Sequence, residues 1–416
     1  MTSQRTSVGV AVLEDLDRIA AAVLRISGRG LEMRVEVVAA TARELPDRVA
    51  ESFCAVTTGS RLPPAELAVL TAELADVQAR VVRRVVKEAG DASRGTLPVP
   101  LAVGTHGPAV WLLAPDQPRA RVQLGDGSRL AESTGYNVVD GFPDRDLARG
   151  GLGGPIEPLA QWALLHDAKR NRVLLNLDRA TRMTYLPRGC EPTAASRVSA
   201  TDVGPGTALF DAIAGRAAAA GKLRGSSDPL AHQGRCIQPL LARLLDAPYF
   251  DESPPRWHPH GAPLDWFVGE LNRWRREQKA DARDLVRTAL DLVAAASARC
   301  LRQHVPSSPS PVQLVLSGRG AQNGLLLSEL RRHLPPFECV MLADLGIERD
   351  ALDAACVAVL AMLHVDQVPQ TSMQTTRIQA PRVLGQLTPG SPLNWQRLLR
   401  EMGVAAPTKI SLRAAI

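Results

Sequence analysis

The stretch Thr201-Asp202-Val203-Gly204-Pro205-Gly206 decides how this chain is read. It is a loop poor in bulky side chains, with one carboxylate ahead of two glycines and a helical pattern running on from Thr207 to Ala220. Glycine lets backbone approach a ligand closely, and a helix N-terminus behind it favours an anion. Two apolar runs precede it, Val173 to Leu177 and Arg182 to Leu186, which read as strand, tight turn, strand. Asp202 is therefore either a cap for the following helix or a general base at the edge of a site.

The N-terminus begins in the same manner. Val8 to Leu13, Ile19 to Ile26 and Leu31 to Ala39 read as strands, the last two joined by the turn Ser27-Gly28-Arg29-Gly30. Pro63 and Pro64 then start a helix whose apolar spacing runs from Ala65 to about Val86. Strands follow at Val99 to Val103, Arg121 to Leu124 and Tyr136 to Val139, with helices near Leu130 and from Pro155 to His166. Beyond Asp202 the pattern predicts helices at Leu230 to Leu245, Asp281 to Leu301, Leu325 to His333 and Asp350 to Leu363. Strands at Val312 to Leu316 and Cys339 to Leu342 lie among them, and Pro306 to Pro311 reads as a short linker. Two such openings imply a duplicated α/β architecture, a mixed sheet flanked by helices in each of two lobes. A chain of 416 residues has room for two or three domains and a cleft between them.

Composition narrows the class. Apolar residues are 45% and charged residues 22%, as in a globular protein, and Lys plus Arg at 49 exceeds Asp plus Glu at 43. The basic clusters Arg80 to Lys87 and Arg273 to Lys279 fall on helical patterns and read as solvated faces. No basic stripe carries stacking aromatics, so nucleic acid is not an expected partner. The six cysteines are dispersed without zinc or redox spacing. The longest apolar run, Cys356 to Leu363, is too short to span a bilayer and no signal-like segment opens the chain, so the expectation is a cytoplasmic protein without a membrane partner.

Three further loops share the small-residue character of the opening stretch: Gly104-Thr105-His106-Gly107, Gly150-Gly151-Leu152-Gly153-Gly154-Pro155 and Ser317-Gly318-Arg319-Gly320. Around them stand Gln123-Leu124-Gly125-Asp126-Gly127, Ser133-Thr134-Gly135, Arg145-Asp146-Leu147-Ala148, Pro248-Tyr249-Phe250, Gly320-Ala321-Gln322-Asn323, Leu345-Gly346-Ile347 and Val383-Leu384-Gly385. In this order, from about Val8 to about Leu398, they resemble the anhydro-N-acetylmuramic acid kinase family.

The resemblance implies a two-lobed, actin-like (ribonuclease H-like, duplicated) sugar-kinase fold. Residues 1–170 would form the N-terminal lobe, joined by 385–416, and residues 171–384 the C-terminal lobe. It also implies ATP and Mg2+ in the cleft, and a cell-wall amino sugar whose 1,6-anhydro ring is opened by water as its 6-oxygen is phosphorylated. By the match, Asp202 takes the place of the general base. Asp17, Asn176, Gly204, Gly206, Gly318, Gly320, Asn323 and Asp353 fall on the nucleotide side, with Asp17 also near the metal. His106, Asp146, Gly151 and Gly153 fall on the sugar side. The partners implied are the small amino sugar and the nucleotide, with a homodimer as the assembly.

The departures are concentrated where phosphate would sit. The family's Met-Ser-Gly-Thr-Ser-Leu-Asp-Gly turn is replaced by Ala11-Val12-Leu13-Glu14-Asp15-Leu16-Asp17-Arg18, and its Asn-Ile-Gly-Gly-Ile-Ala-Asn turn by Asn176-Leu177-Asp178-Arg179-Ala180-Thr181-Arg182. Carboxylates now stand where backbone donors would meet a polyanion; one charge pair at ~4 Å is worth about 4 kcal/mol at an effective dielectric near 20, about a thousandfold in affinity. Glu14, Asp15 or Asp17 as magnesium ligands, or Arg179 and Arg182 meeting a phosphate, would offset part of that loss.

On the sugar side, Val138-Val139-Asp140-Gly141-Phe142-Pro143 stands for Val-Val-x-Asp-Phe-Arg. Leu152 stands for a glutamine, and Arg256-Trp257-His258-Pro259-His260-Gly261 for a Lys-Ser-Thr-Gly-Arg stretch. His258 and His260 without a third ligand read as a surface loop. Asp353, one methylene shorter than the family's glutamate, reads alternatively as a helix-surface charge near Arg349. Three expectations follow: an active sugar kinase, a pseudokinase that binds sugar or nucleotide as a scaffold, and a kinase retuned to another sugar.

Overall fold

A computed structural model describes residues 4–57, 62–113, 118–219, 227–259, 263–306, 312–334 and 337–403. Its strands in chain order are β1 Gln4–Val12, β2 Arg18–Ser27, β3 Arg34–Glu44, β4 Ala102–His106, β5 Ala109–Leu112, β6 Ala120–Gln123 and β7 Val138–Asp140. Then come β8 Asn171–Leu177, β9 Ala180–Leu186, β10 Ser199–Pro205, β11 Val312–Ser317, β12 Glu338–Met341 and β13 Gln386–Thr388.

The first sheet has the order β13-β7-β4-β1-β2-β3 and the second β10-β9-β8-β11-β12. Leaving out the edge strand β13, both run three antiparallel strands and then add two parallel ones beside the first strand of the meander. The duplication expected from the two strand-turn-strand openings is thus present in topology. The fold is the two-lobed, mixed-sheet α/β class with helices on the sheets.

Strand β1 is buried from Arg5 to Ala11 because helices cover both faces. On one side lies Pro64–Ala92, whose Leu70, Leu74, Val81, Val82 and Val85 share a core with Val8 and Val10. On the other lies Leu352–Val365, apolar nearly all round and accordingly buried along almost its whole length. This helix comes close because two strand positions lack a side chain. A Cβ on Gly9 would stand 1.8 Å from the Ala354 carbonyl oxygen, and one on Gly104 2.3 Å from that of Val357. The chain therefore returns to the first sheet with this helix, ahead of the segment from 385 that carries β13. The second sheet packs on Ala282–His304, whose buried face meets Val203, Leu209, Phe250 and Phe267.

Several local expectations shift. Asp202 lies inside β10, not in a loop, at a register shift between Asp202 and Gly204 where β10 pairs with β9. The helix expected from Leu230 to Leu245 is two, Ser227–Gln233 and Gln238–Leu245. Gly234 separates them, tight against the Arg283 carbonyl, and a proline stands in the first turn of the second. The helices Asp47–Thr57 and Leu264–Glu277 and the hairpin β5–β6 were not anticipated. Most of the Pro306 to Pro311 linker, and His260 with Gly261, lie outside the described residues. Among the described residues no helix is long and apolar enough to cross a membrane.

Candidate functional site

The site is built from the turns that end the two meanders' first strands. Between β1 and β2, Leu13 N donates to Arg18 O and Leu16 N to Leu13 O, and Leu16 takes a left-handed conformation with φ of 61°. Between β8 and β9, the carbonyls of Asp178 and Arg179 accept from Thr207 N at 2.8 Å and Gly206 N at 3.0 Å. Gly206 is required there, since a Cβ would lie 1.9 Å from the Asp178 oxygen. The two turns face one another across a cavity lined by Glu14, Asp15, Asp17, Asp178, Asp350 and Asp353, with Asn176, Ser317, Arg18 and Arg349 beside them. Three sequence-derived nucleotide residues, Asp17, Asn176 and Asp353, are thereby brought together.

The replaced turns are stitched to each other by ion pairs. Arg182 pairs through Nη1 with Glu14 Oε1 of the opposite turn and through Nε with Asp202 Oδ1 at 3.1 Å. Arg319 reaches Asp211 at 2.5 Å, the Thr207 hydroxyl at 3.1 Å and Asp15 at 3.8 Å. Arg18 pairs with Asp350 at 2.5 Å, and Arg349 with the same carboxylate at 2.8 Å. Burial, with Asp15 and Asp353 nearby, pushes Asp178 up to about 7. Burial also raises Asp353, against the pull of Arg182.

Asp202 is fully buried. Its Oδ1 accepts from Arg182 and its Oδ2 from His258 N at 2.8 Å, so both oxygens are engaged. Burial raises its pKa, while Arg182 and the His258 amide oppose the rise. Arg256 locks the surrounding backbone: its Nε donates to Asp202 O at 3.3 Å, its Nη1 to Phe250 O and Glu252 O, and its carbonyl accepts from Asp202 N at 2.8 Å. Arg256 thus ties the Pro248-Tyr249-Phe250 turn to β10. Glu157, just behind the glycine loop, is a further half-buried carboxylate near Asp353 and Asp202, pushed up to about 7 by loss of solvation above all, with those two charges adding to the rise against its backbone hydrogen bonds.

At the glycine loop that the resemblance places on the sugar side, Asp146 is the organising side chain. Its Oδ2 accepts from Gly153 N at 2.7 Å, and a Cβ on Gly151 would lie 2.3 Å from the same oxygen. Trp111 packs on Gly153 and Trp257 on Gly154, with ring centroids 5.2 Å apart at 66°. Arg119 Nη1 donates to Leu152 O and Trp257 O, both at 3.1 Å. His106 ends β4, and burial followed by Arg121 holds its ring at a pKa of about 3.

Gly204 faces Phe250 inside β10. Gly318 has φ of 86° and, with Gly320, sits against Leu177, while Asn323 caps Gly324–His333 by accepting from Leu326 N at 2.9 Å. His258 Nε2 meets Glu252 at 3.4 Å, and no three His, Cys, Asp or Glu side chains among the described residues are arranged to hold a metal ion.

Sequence reasoning missed Trp111, Arg119, Arg121, Glu157 and the pairing role of Arg182. The two tryptophans carried a usable signal, since aromatics are only 4% of the chain. The donor set suits a divalent cation better than the triphosphate itself: the cavity offers mainly carboxylates, which could serve Mg2+, whereas Arg182 and Arg319, the cations that could meet phosphate, are already paired.

The architecture and loops agree with what comparison finds. The family model for anhydro-N-acetylmuramic acid kinase matches residues 6–390. The anhydro-N-acetylmuramic acid kinase of Salinibacter ruber is 31% identical over 399 residues, covering 94% of this chain and 98% of that protein. That of Chromohalobacter salexigens is 32% identical over 388 residues, covering 92% and 99%. Among solved structures, xylulose kinase from Rhodospirillum rubrum covers 96% of this chain and 98% of its own at a TM-score of 0.39 and 14% identity, too remote to bear on this chain's chemistry. With a matching model and relatives aligned end to end, the chain belongs to the anhydro-N-acetylmuramic acid kinase family.

Proposed function

We propose that this chain keeps the amino-sugar site of its family and has lost phosphoryl transfer, acting as a sugar-binding pseudokinase. The observation that carries the reading is Arg182, which bridges Glu14 of the first turn and Asp202 of β10 across the space a triphosphate would enter. A phosphate there must displace an ion pair and then face Glu14, Asp15 and Asp178. At an effective dielectric near 20 each such repulsion at ~4 Å costs about 4 kcal/mol before screening. A general base must also reach its water. Asp202 is fully buried with each oxygen already accepting a hydrogen bond, so a water must reach it through the packed surroundings.

The sugar side is in better order, with Asp146 holding Gly151 and Gly153 and two indoles closing over the loop. The deciding experiment incubates the purified protein with 1,6-anhydro-N-acetylmuramic acid and Mg-ATP beside an active family member. Sugar binding by calorimetry without ADP release is expected. ADP release that disappears in Asp202→Asn overturns the proposal and establishes the second reading, a working kinase, which the retained position of Asp202 within its motif favours.

A further inference from the structure

A separate cavity of about 540 Å3 shares no lining residue with the space between the two turns, and its volume is in the range of small-ligand sites. One wall is Glu252, Ser253, Pro254 and Pro255, beside the turn that Arg256 ties to β10; the other is Met373 and Arg377. This second wall is a strap fastened on both sides. Gln374 O accepts from Ala200 N of β10 and Thr376 O from Leu152 N of the glycine loop, both at 3.2 Å. Arg377 takes a left-handed conformation with φ of 64°, uncommon for a residue that is not glycine. Backbone held in such a region is concentrated at ligand clamps and switches. Here it accompanies a guanidinium laid across the opposite wall, with Nε donating to Pro255 O at 3.0 Å and Nη2 to Ser253 O at 2.6 Å.

Two opposite charges therefore line one cavity without meeting. Both bonds of Arg377 go to neutral carbonyls, and among the described residues no carboxylate pairs with it, so its charge is unbalanced and Nη1 is left over. The Glu252 side chain is 45% exposed and meets His258 Nε2 at 3.4 Å, not the guanidinium. A lone anion would satisfy Arg377 and be repelled by Glu252, and a lone cation the reverse. A molecule with a charge of each sign satisfies both. Between the two charges Pro254, Pro255 and Met373, which is itself 49% exposed, supply apolar surface.

We propose that this cavity binds a short zwitterionic peptide with apolar side chains. Its terminal carboxylate accepts from Arg377 Nη1, its terminal ammonium donates to Glu252, and its side chains lie on Pro254, Pro255 and Met373. The site is independent of the sugar-binding reading, since it uses none of the residues at the glycine loop or the two turns.

The test is calorimetry on the full chain with three probes: leucyl-leucine, the same dipeptide acetylated at its amine, and the same dipeptide amidated at its carboxylate. The wild-type protein is expected to bind the free dipeptide at least about tenfold tighter than either blocked form, the worth of one charge-assisted hydrogen bond. Arg377→Gln should abolish the preference over the amide while keeping that over the acetylated form, and Glu252→Gln should do the converse. Met373→Ser, at an exposed position, should weaken all three probes alike and serves if Arg377→Gln fails to fold. Equal binding of free and blocked forms, preferences that survive the charge-removing variants, affinity unmoved by Met373→Ser, or no saturable binding of the free dipeptide to the wild-type protein each overturn the proposal.

Discussion

Neutralising Glu14 and Asp15 together, as Glu14→Gln with Asp15→Asn, tests whether the first turn has become an internal substitute for phosphate. In the native cleft Glu14 holds Arg182 and Asp15 lies 3.8 Å from Arg319, so an incoming polyphosphate meets two carboxylates and finds both guanidiniums engaged. A bare charge pair at ~4 Å is worth about 4 kcal/mol at an effective dielectric near 20. The two side chains are 22% and 28% exposed, and the Debye length at physiological salt is about 8 Å. Screening therefore reduces each term to roughly 1–2 kcal/mol. That is about tenfold per charge and about a hundredfold for the double variant.

The assay is titration calorimetry with inorganic tripolyphosphate and with ADP at low and at physiological salt. Glu36→Gln, which removes a charge of the same sign paired with Arg25 on the outer strands, is the control for net charge. A hundredfold gain that shrinks with salt is the expected result. No gain in the double variant, or an equal gain in the control, refutes the idea that these carboxylates exclude phosphate.

Other consequences can be checked by stability. Gly9→Ala drives a Cβ into the Ala354 carbonyl and should destabilise by about 3 kcal/mol or more, seen as a lower urea midpoint, because backbone and not a flexible side chain must move. Asp366→Ala removes the nearer carboxylate from Arg5, a pair 4% and 2% exposed, leaves it only Glu401 at 3.8 Å, and should cost about 3 kcal/mol in the same measurement. Glu157 has its pKa raised from 4.5 to about 7, so its contribution is fully present below the unfolded value and is lost as pH rises through the folded one. Glu157→Gln should therefore gain stability on the wild-type protein between about pH 4.5 and 7, by at most about 3 kcal/mol at 1.36 kcal/mol per pH unit, and hold that gain above pH 7. Thermal melts of the two proteins that run parallel across this range would refute it.

Elements with strong local signals were legible in the sequence: the strand pairs that open each lobe, the long helix after Pro64, and the glycine loops. Those whose existence depends on distant contacts were not. β10 contains Gly204 and Pro205, which locally argue for a loop, yet Asp202 is drawn into the strand by Arg182 on β9 and by the Arg256 segment from the far side. β5 has only four residues, too few to show a period, and is fixed by β6 and by Trp257. The helix Leu352–Val365 is periodic enough to be found, but its partner is not written in its own residues; Gly9 and Gly104, on strands far away in sequence, make room for it.

The site divides in the same way, and the division bears on the proposed loss of phosphate binding. Loss of the glycines in the turns at Glu14 and Asp178 is visible residue by residue, and it predicts weakened anion binding without saying what replaces it. The replacement is a set of charges from separate elements: Glu14 and Asp15 on one turn, Arg182 and Arg319 on the opposite lobe, and Asp350 between Arg18 and Arg349. A turn that had merely decayed would leave arginines and carboxylates unpaired and the cleft open to solvent. Here Arg182 and Arg319 each have carboxylate partners, and two half-buried carboxylates, Asp178 and Glu157, are pushed toward their neutral forms. On the proposed reading, internal charges take the place of an external anion. The two walls of the cleft are joined by ion pairs within the chain, and that is what the proposed sugar-binding role without phosphoryl transfer would require.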